Sequence, residues 1–203
     1  REMLDDKKLM EIKKEVARLR NEEEITKEED NKKMVDFYVE NALTSLNTAK
    51  ILNAVSLDLS IKKQFDFIDD EFETYLWIIN TSYYSMFYIA GALLAKIGVK
   101  VKSSIGIHRK TFFAVVYYFY LNEKIAKQYI EDFEEAQEES QDLLGVMQKK
   151  VKDLMANYDF EMGKRAQFTY NIGVRAKGNK ALTSLNRAVE FYNECLRIMD
   201  KLK

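Results

Sequence analysis

At 203 residues, the chain is long enough for one domain with a substantial core, or for one domain and an appendage. A composition of 47% hydrophobic and 32% charged residues argues against disorder, and a formal net charge of −1 argues against a surface that grips nucleic acid everywhere. There is no proline and there are seven glycines, where average usage of about 5% would give roughly ten prolines. Helices therefore meet few breakers and sheets find little turn chemistry, which predicts an all-α fold.

Residues 1–24 read as a charged helix with Leu9, Ile12, Val16 and Leu19 at 3-4-3 spacing. This narrow apolar stripe is enough to lie on a bundle or to pair with another helix. Thr26 with Glu29 three residues later has the form of a capping box opening the next helix. That helix carries Val35, Val39, Ala42, Leu46 and Ala49 on one face and is expected to run to about Ala54. Residues 56–71 break the period. An apolar helix follows from about Asp70 to Lys96, with Gly98 as its C′ stop. Residues 74–95 carry no charge and are long enough to span a bilayer. Asn80, Thr81, Ser82, Ser85 and four tyrosines make a covered bundle helix the better reading.

Residues 99–107 read as a basic loop and 108–121 as a short aromatic helix. Phe133, Ala136, Ser140, Leu143, Met147, Val151, Leu154 and Tyr158 continue as a heptad-like stripe on a long helix. In the last helix, with Asn179 as a candidate cap, Leu182, Leu185, Val189, Tyr192, Leu196 and Met199 are expected to face the core. Several striped helices predict an antiparallel up-and-down bundle at 33–203, with a charged helical extension at 1–32.

The chemistry-bearing residues are few. One histidine, His108, and one cysteine, Cys195, cannot build a Cys/His zinc site, and Glu-x-x-His pairs and phosphate-binding glycine motifs are absent. No metal or cofactor is expected. The lone cysteine suits a reducing cytoplasm, and the first twenty residues do not read as a signal peptide. The acids of 131–142 read as a solvated helix face, with docking of a basic partner as the alternative. The run Ser82–Tyr88 reads as core, with a base-stacking platform as its alternative. From Lys164 to Ala188 there is no acid, while Lys164, Arg165, Arg175, Lys177, Lys180 and Arg187 are present. Lys96, Lys100, Lys102, Arg109 and Lys110 form a second basic group beside His108. Either these groups form a local phosphate site, or they pair with the acids of 131–142.

The run 75–100, followed by 103–119, resembles the prokaryotic stand-alone branch of the HEPN family (higher eukaryotes and prokaryotes nucleotide-binding). Tyr83, Tyr84, Met86, Phe87, Ala92, Leu93, Leu94, Gly98 and His108 carry the resemblance, with Arg165, Phe168 and Tyr170 later. It covers about Lys33 to Lys203. It implies a helical bundle that dimerises, a nucleotide or RNA ligand, and a small nucleotidyltransferase as partner in a toxin–antitoxin-type system. Active relatives use an arginine and, several residues on, a histidine for metal-independent RNA cleavage. After Arg165 the expected histidine falls at Tyr170, Asn171 or Ile172. Tyrosine, with a pKa near 10, is a weak base at neutral pH. The resemblance thus implies a degenerate motif of Arg165 and Tyr170, with His108 as a second catalytic candidate. Lys164, Arg165, Arg175, Lys177, Lys180 and Arg109 are the phosphate-binding candidates. An active ribonuclease and a non-enzymatic interaction module remain the alternatives.

Overall fold

The structure is a computed structural model that describes residues 4–65, 72–158 and 178–202. It is all-α apart from one small sheet. Among the described residues the order is α1 (Asp6–Asn21), β1 (Ile25–Lys27), a 3₁₀ turn (Glu29–Met34), α2 (Val35–Leu57), α3 (Leu59–Lys62), α4 (Tyr75–Lys96), β2 (Val99–Val101), α5 (Ile107–Val115), α6 (Lys127–Tyr158) and α7 (Gly178–Lys201). A π turn at Val116–Tyr120 continues α5.

The central element is α4, which packs against α2, α5, α6 and α7. Ile78, Ile79, Tyr83, Met86, Ile89, Ala90, Leu93 and Leu94 are all buried. A helix apolar on most sides must be covered on most sides, and four neighbours do this. Two of its polar groups are paired inside the bundle: Ser140 of α6 donates to Asn80 Oδ1 at 2.6 Å, and Ser85 donates to the Ala42 carbonyl at 2.9 Å. No described helix is long and apolar enough to cross a membrane.

The stripe of α1 is buried at Ile12, Val16 and Leu19, and α1 packs against α5, the π turn and β1. Residues of α1 and β1 share one apolar core with those of α4 to α7. This stripe is covered within the chain, so it supplies no reason for a second copy. Asp5 caps α1 by accepting from the Lys8 amide at 2.8 Å.

Three expectations need correction. Thr26 does not cap a helix: it lies in β1, and its hydroxyl donates to Glu28 at 2.7 Å. The basic loop begins as β2, which pairs antiparallel with β1 in the register Ile25↔Val101, Thr26↔Lys100, Lys27↔Val99. Val-Lys-Val alternates with period two, so one side chain in two can face the core, and Ile25 and Val99 are buried there. In α7 the buried seam runs through Ala181, Leu185, Ala188, Tyr192, Cys195 and Met199, while Leu182 is 45% exposed. Small residues at Ala181, Ala188 and Cys195 let α7 approach α4 closely, which turns Leu182, Val189 and Leu196 towards the flank.

The stop at Gly98 stands as expected. Its φ is +72° and its amide donates to the Ala95 carbonyl at 2.8 Å. A Cβ there would also sit 3.2 Å from the Glu28 carbonyl oxygen, so the αL stop and the close approach of the 3₁₀ turn both require glycine.

Candidate functional site

The described chemistry gathers where α5 meets α4. Gly106 at φ +80° turns the chain into α5, and His108 is the second residue of that helix. Its Nδ1 lies 2.8 Å from the Tyr83 hydroxyl. The imidazole sits among three rings of α4, with centroids 4.3 Å from Phe87, 5.6 Å from Tyr83 and 5.8 Å from Tyr84. The spacing explains the pocket: Tyr83 and Phe87 are i,i+4, so both project to the side on which α5 docks.

Burial decides the protonation states. It lowers the His108 pKa from its ordinary value, because a cation loses more than a neutral ring on leaving water. Burial, with a smaller contribution from Tyr84, pushes the Tyr83 phenol well above its ordinary value. At neutral pH the pair is a neutral imidazole hydrogen-bonded to a neutral phenol.

The run Ser82–Tyr88 is core in part. Tyr83 and Met86 are core, whereas Tyr84 is 37% exposed. Trp77, seven residues earlier and hence on the same face, is 53% exposed. Tyr88 follows Tyr84 with ring centroids 6.2 Å apart.

The basic groups are less free than their sequence suggests. Lys110 pairs with Glu24 at 2.7 Å, and Lys100 with Glu28 at 3.0 Å. Ser104 also donates to Glu24 at 2.7 Å. Hydrogen bonds from Lys110 and Ser104 hold the Glu24 carboxyl below its usual range. Arg109 is exposed, with its guanidinium 5.2 Å from the centre of the Phe113 ring. Arg187 is engaged by Asp132 at 3.3 Å, Glu135 at 2.7 Å and Glu139 at 3.7 Å. Glu139 also accepts from Ser184 at 3.0 Å, and Lys8 pairs with Glu134. The acids of α6 are therefore partly structural rather than a purely solvated face.

Of the phosphate-binding candidates, Arg109 opens α5, and Lys180 is exposed in the first turn of α7, its amide donating to Asn179 Oδ1 at 2.9 Å. Lys164, Arg165, Tyr170, Arg175 and Lys177 lie outside the described residues. Sequence reasoning missed the part played by Tyr83, Tyr84 and Phe87 around His108. The i,i+4 spacing put Tyr83 and Phe87 on one side of α4, but only the docking of α5 brings His108 to them.

An open cleft elsewhere is lined by Leu9, Tyr120, Lys124, Glu194 and Arg197. Its Arg197 is already paired with Glu194. Among the described residues no group of histidine, cysteine and carboxylates is arranged to hold a metal ion.

Comparison of the chain with family models, with curated proteins and with solved structures finds no match.

Proposed function

We propose that this chain is a HEPN-like cytoplasmic protein that binds a nucleotide or single-stranded RNA. The observation that carries the reading is the α4–α5 junction. There the His108 imidazole stands beside the partly exposed Tyr84 ring, within the segment that bears the family resemblance, and Arg109 follows on the same helix. Aromatic faces and cations are what an unpaired base and its phosphate require. The resemblance adds two partners, a second copy of the chain and a small nucleotidyltransferase, in a toxin–antitoxin-type arrangement. Equilibrium binding of labelled single-stranded RNA tests the reading. Arg165→Ala and Arg175→Ala should each weaken binding, and equal affinity in both variants and wild type would remove the basic stretch from the site.

A ribonuclease is the second reading, favoured by one observation: the Tyr83 hydroxyl stands 2.8 Å from Nδ1 of His108 and fixes the orientation of the chain's only imidazole. Tyr170 in place of histidine opposes it, since general acid–base assistance is typically worth about 10²–10⁴-fold. RNA cleavage should be very slow with chelator present. Robust cleavage that Arg165→Ala abolishes would promote the ribonuclease, and loss in His108→Ala would name the imidazole as its catalyst.

A further inference from the structure

We infer that the outer surface shared by α2 and α4 is where a second copy of this chain docks, the same face from each copy meeting about a twofold axis. This rests on the part of the reading above that concerns a second copy, and gives that copy a surface.

The two helices form one layer. Near one end Thr74 donates to the Leu52 carbonyl at 3.0 Å. Near the other, Tyr38 lies against Gly91, where an added Cβ would come 3.1 Å from its ring, so the helices run antiparallel and close. On α4, Trp77, Thr81, Tyr84 and Tyr88 follow at 4-3-4 spacing and share one side. On α2, Phe37, Asn41, Thr44, Thr48, Ile51 and Val55 do the same. None of them is fully buried, and Phe37 and Ile51 are 50% and 63% exposed. Rings run from one helix towards the other: Phe37 lies 5.5 Å from Tyr38, which packs on Gly91 three residues beyond Tyr88.

Neither stripe carries a charge, although a chain with 32% charged residues would place about three among these positions. The exposed acids Asp36 and Glu40 flank the α2 stripe instead of interrupting it. Polar side chains on the face are turned onto their own helix. Asn41 donates to the Phe37 carbonyl at 2.7 Å, Thr48 to that of Thr44 at 2.9 Å, and Thr81 to that of Trp77 at 2.7 Å. Donors satisfied in this way lose little when water leaves. Aromatic side chains at an uncharged centre with charges at the margin make up the usual anatomy of an interface.

Such a face matches itself. A twofold axis sets uncharged side chains of one copy on those of the other and leaves no charge buried without a partner. A formal net charge of −1 offers little long-range repulsion between copies. The size agrees as well. From Phe37 to Val55 the face is about 27 Å long, and two packed helices are about 20 Å wide. Two such faces together cover about 1,100 Å², just above the roughly 1,000 Å² that a specific interface needs. Tyr84, whose ring meets His108, forms the edge towards α5, so the junction borders the interface.

The chain carries its own reporter, because its only tryptophan, Trp77, stands on this face. Sedimentation of the whole chain should show a dimer in the micromolar range. Trp77 emission should move to the blue and resist acrylamide quenching with the same concentration midpoint. Phe37→Lys and Ile51→Lys should each raise the dissociation constant at least about tenfold, and added salt should not loosen the wild-type dimer. Both variants should keep the wild-type helical circular dichroism, since neither side chain is in the core. Met10→Lys, at an exposed position of α1, which packs against α5, the π turn and β1, should leave the dimer unchanged. A dimer that both variants leave intact, or one that salt dissociates, would put the contact elsewhere and overturn the inference while the second copy survives. A chain that stays monomeric would give the face to another partner, and the inference and the second copy would fall together.

Discussion

The Tyr83 hydroxyl stands 2.8 Å from Nδ1 of His108 and joins α4 to α5 at the one imidazole in the chain. Its consequence for pH follows from sign. Burial lowers the folded-state pKa of His108, so between that value and about 6.5 the unfolded chain binds more protons. Stability therefore rises with pH through this window and is lost as pH falls through the folded pKa. Urea unfolding across mildly acidic pH should show this loss in wild type and less of it in His108→Gln. An identical pH dependence in both would assign the effect to other groups.

Tyr83→Phe removes the hydroxyl and keeps the ring. It should cost about 0.5–1.5 kcal/mol and leave the imidazole without its Nδ1 partner. Denaturation gives the first number, and broadening or movement of the His108 NMR signals reports the second. A variant as stable as wild type with unchanged signals would mean that packing alone holds the ring.

Arg187 serves three carboxylates, Asp132, Glu135 and Glu139. Removing it leaves these acids facing one another at the α6–α7 seam. Arg187→Ala should destabilise by about 3 kcal/mol, and the deficit should shrink with added salt. A loss below about 1 kcal/mol, the range of an exposed surface pair, would contradict a structural role.

Gly98 and Gly106 both have positive φ, but only Gly98 is crowded. Gly98→Ala and Gly106→Ala should each lose about 1–2 kcal/mol from the left-handed backbone, with a further loss at Gly98 from the Glu28 carbonyl. Equal melting temperatures for the two variants would show that the 3₁₀ turn yields freely.

The all-α fold was legible because no proline interrupts it and because α1, α2, α4 and α6 carry stripes that packing confirms at Val16, Leu46, Ile89 and Phe133. The seam of α7 was half legible: Leu185, Tyr192 and Met199 are buried as expected, whereas Ala181, Ala188 and Cys195 take the places given to Leu182, Val189 and Leu196. Leucines attract attention, but the surface that meets α4 is set by Ala181, Ala188 and Cys195, whose value lies in being small. The two short strands were hidden for another reason: three residues carry too little periodicity to be told from a loop, and their pairing joins positions far apart in the chain. At the site, His108 and Arg109 were visible as residue types. The rings around His108 were not, since a pocket made by two helices depends on how they dock. Pairing of Lys100 and Lys110 with Glu28 and Glu24 likewise depends on the β1–β2 contact.

Binding of a short fluorescent oligouridine, followed by anisotropy over a series of salt concentrations, tests the central claim most directly. The nucleotide-binding reading predicts saturable binding at low salt, with log affinity falling linearly against log salt as phosphate contacts release counterions. No saturable binding at low salt, or an affinity indifferent to salt, would contradict it.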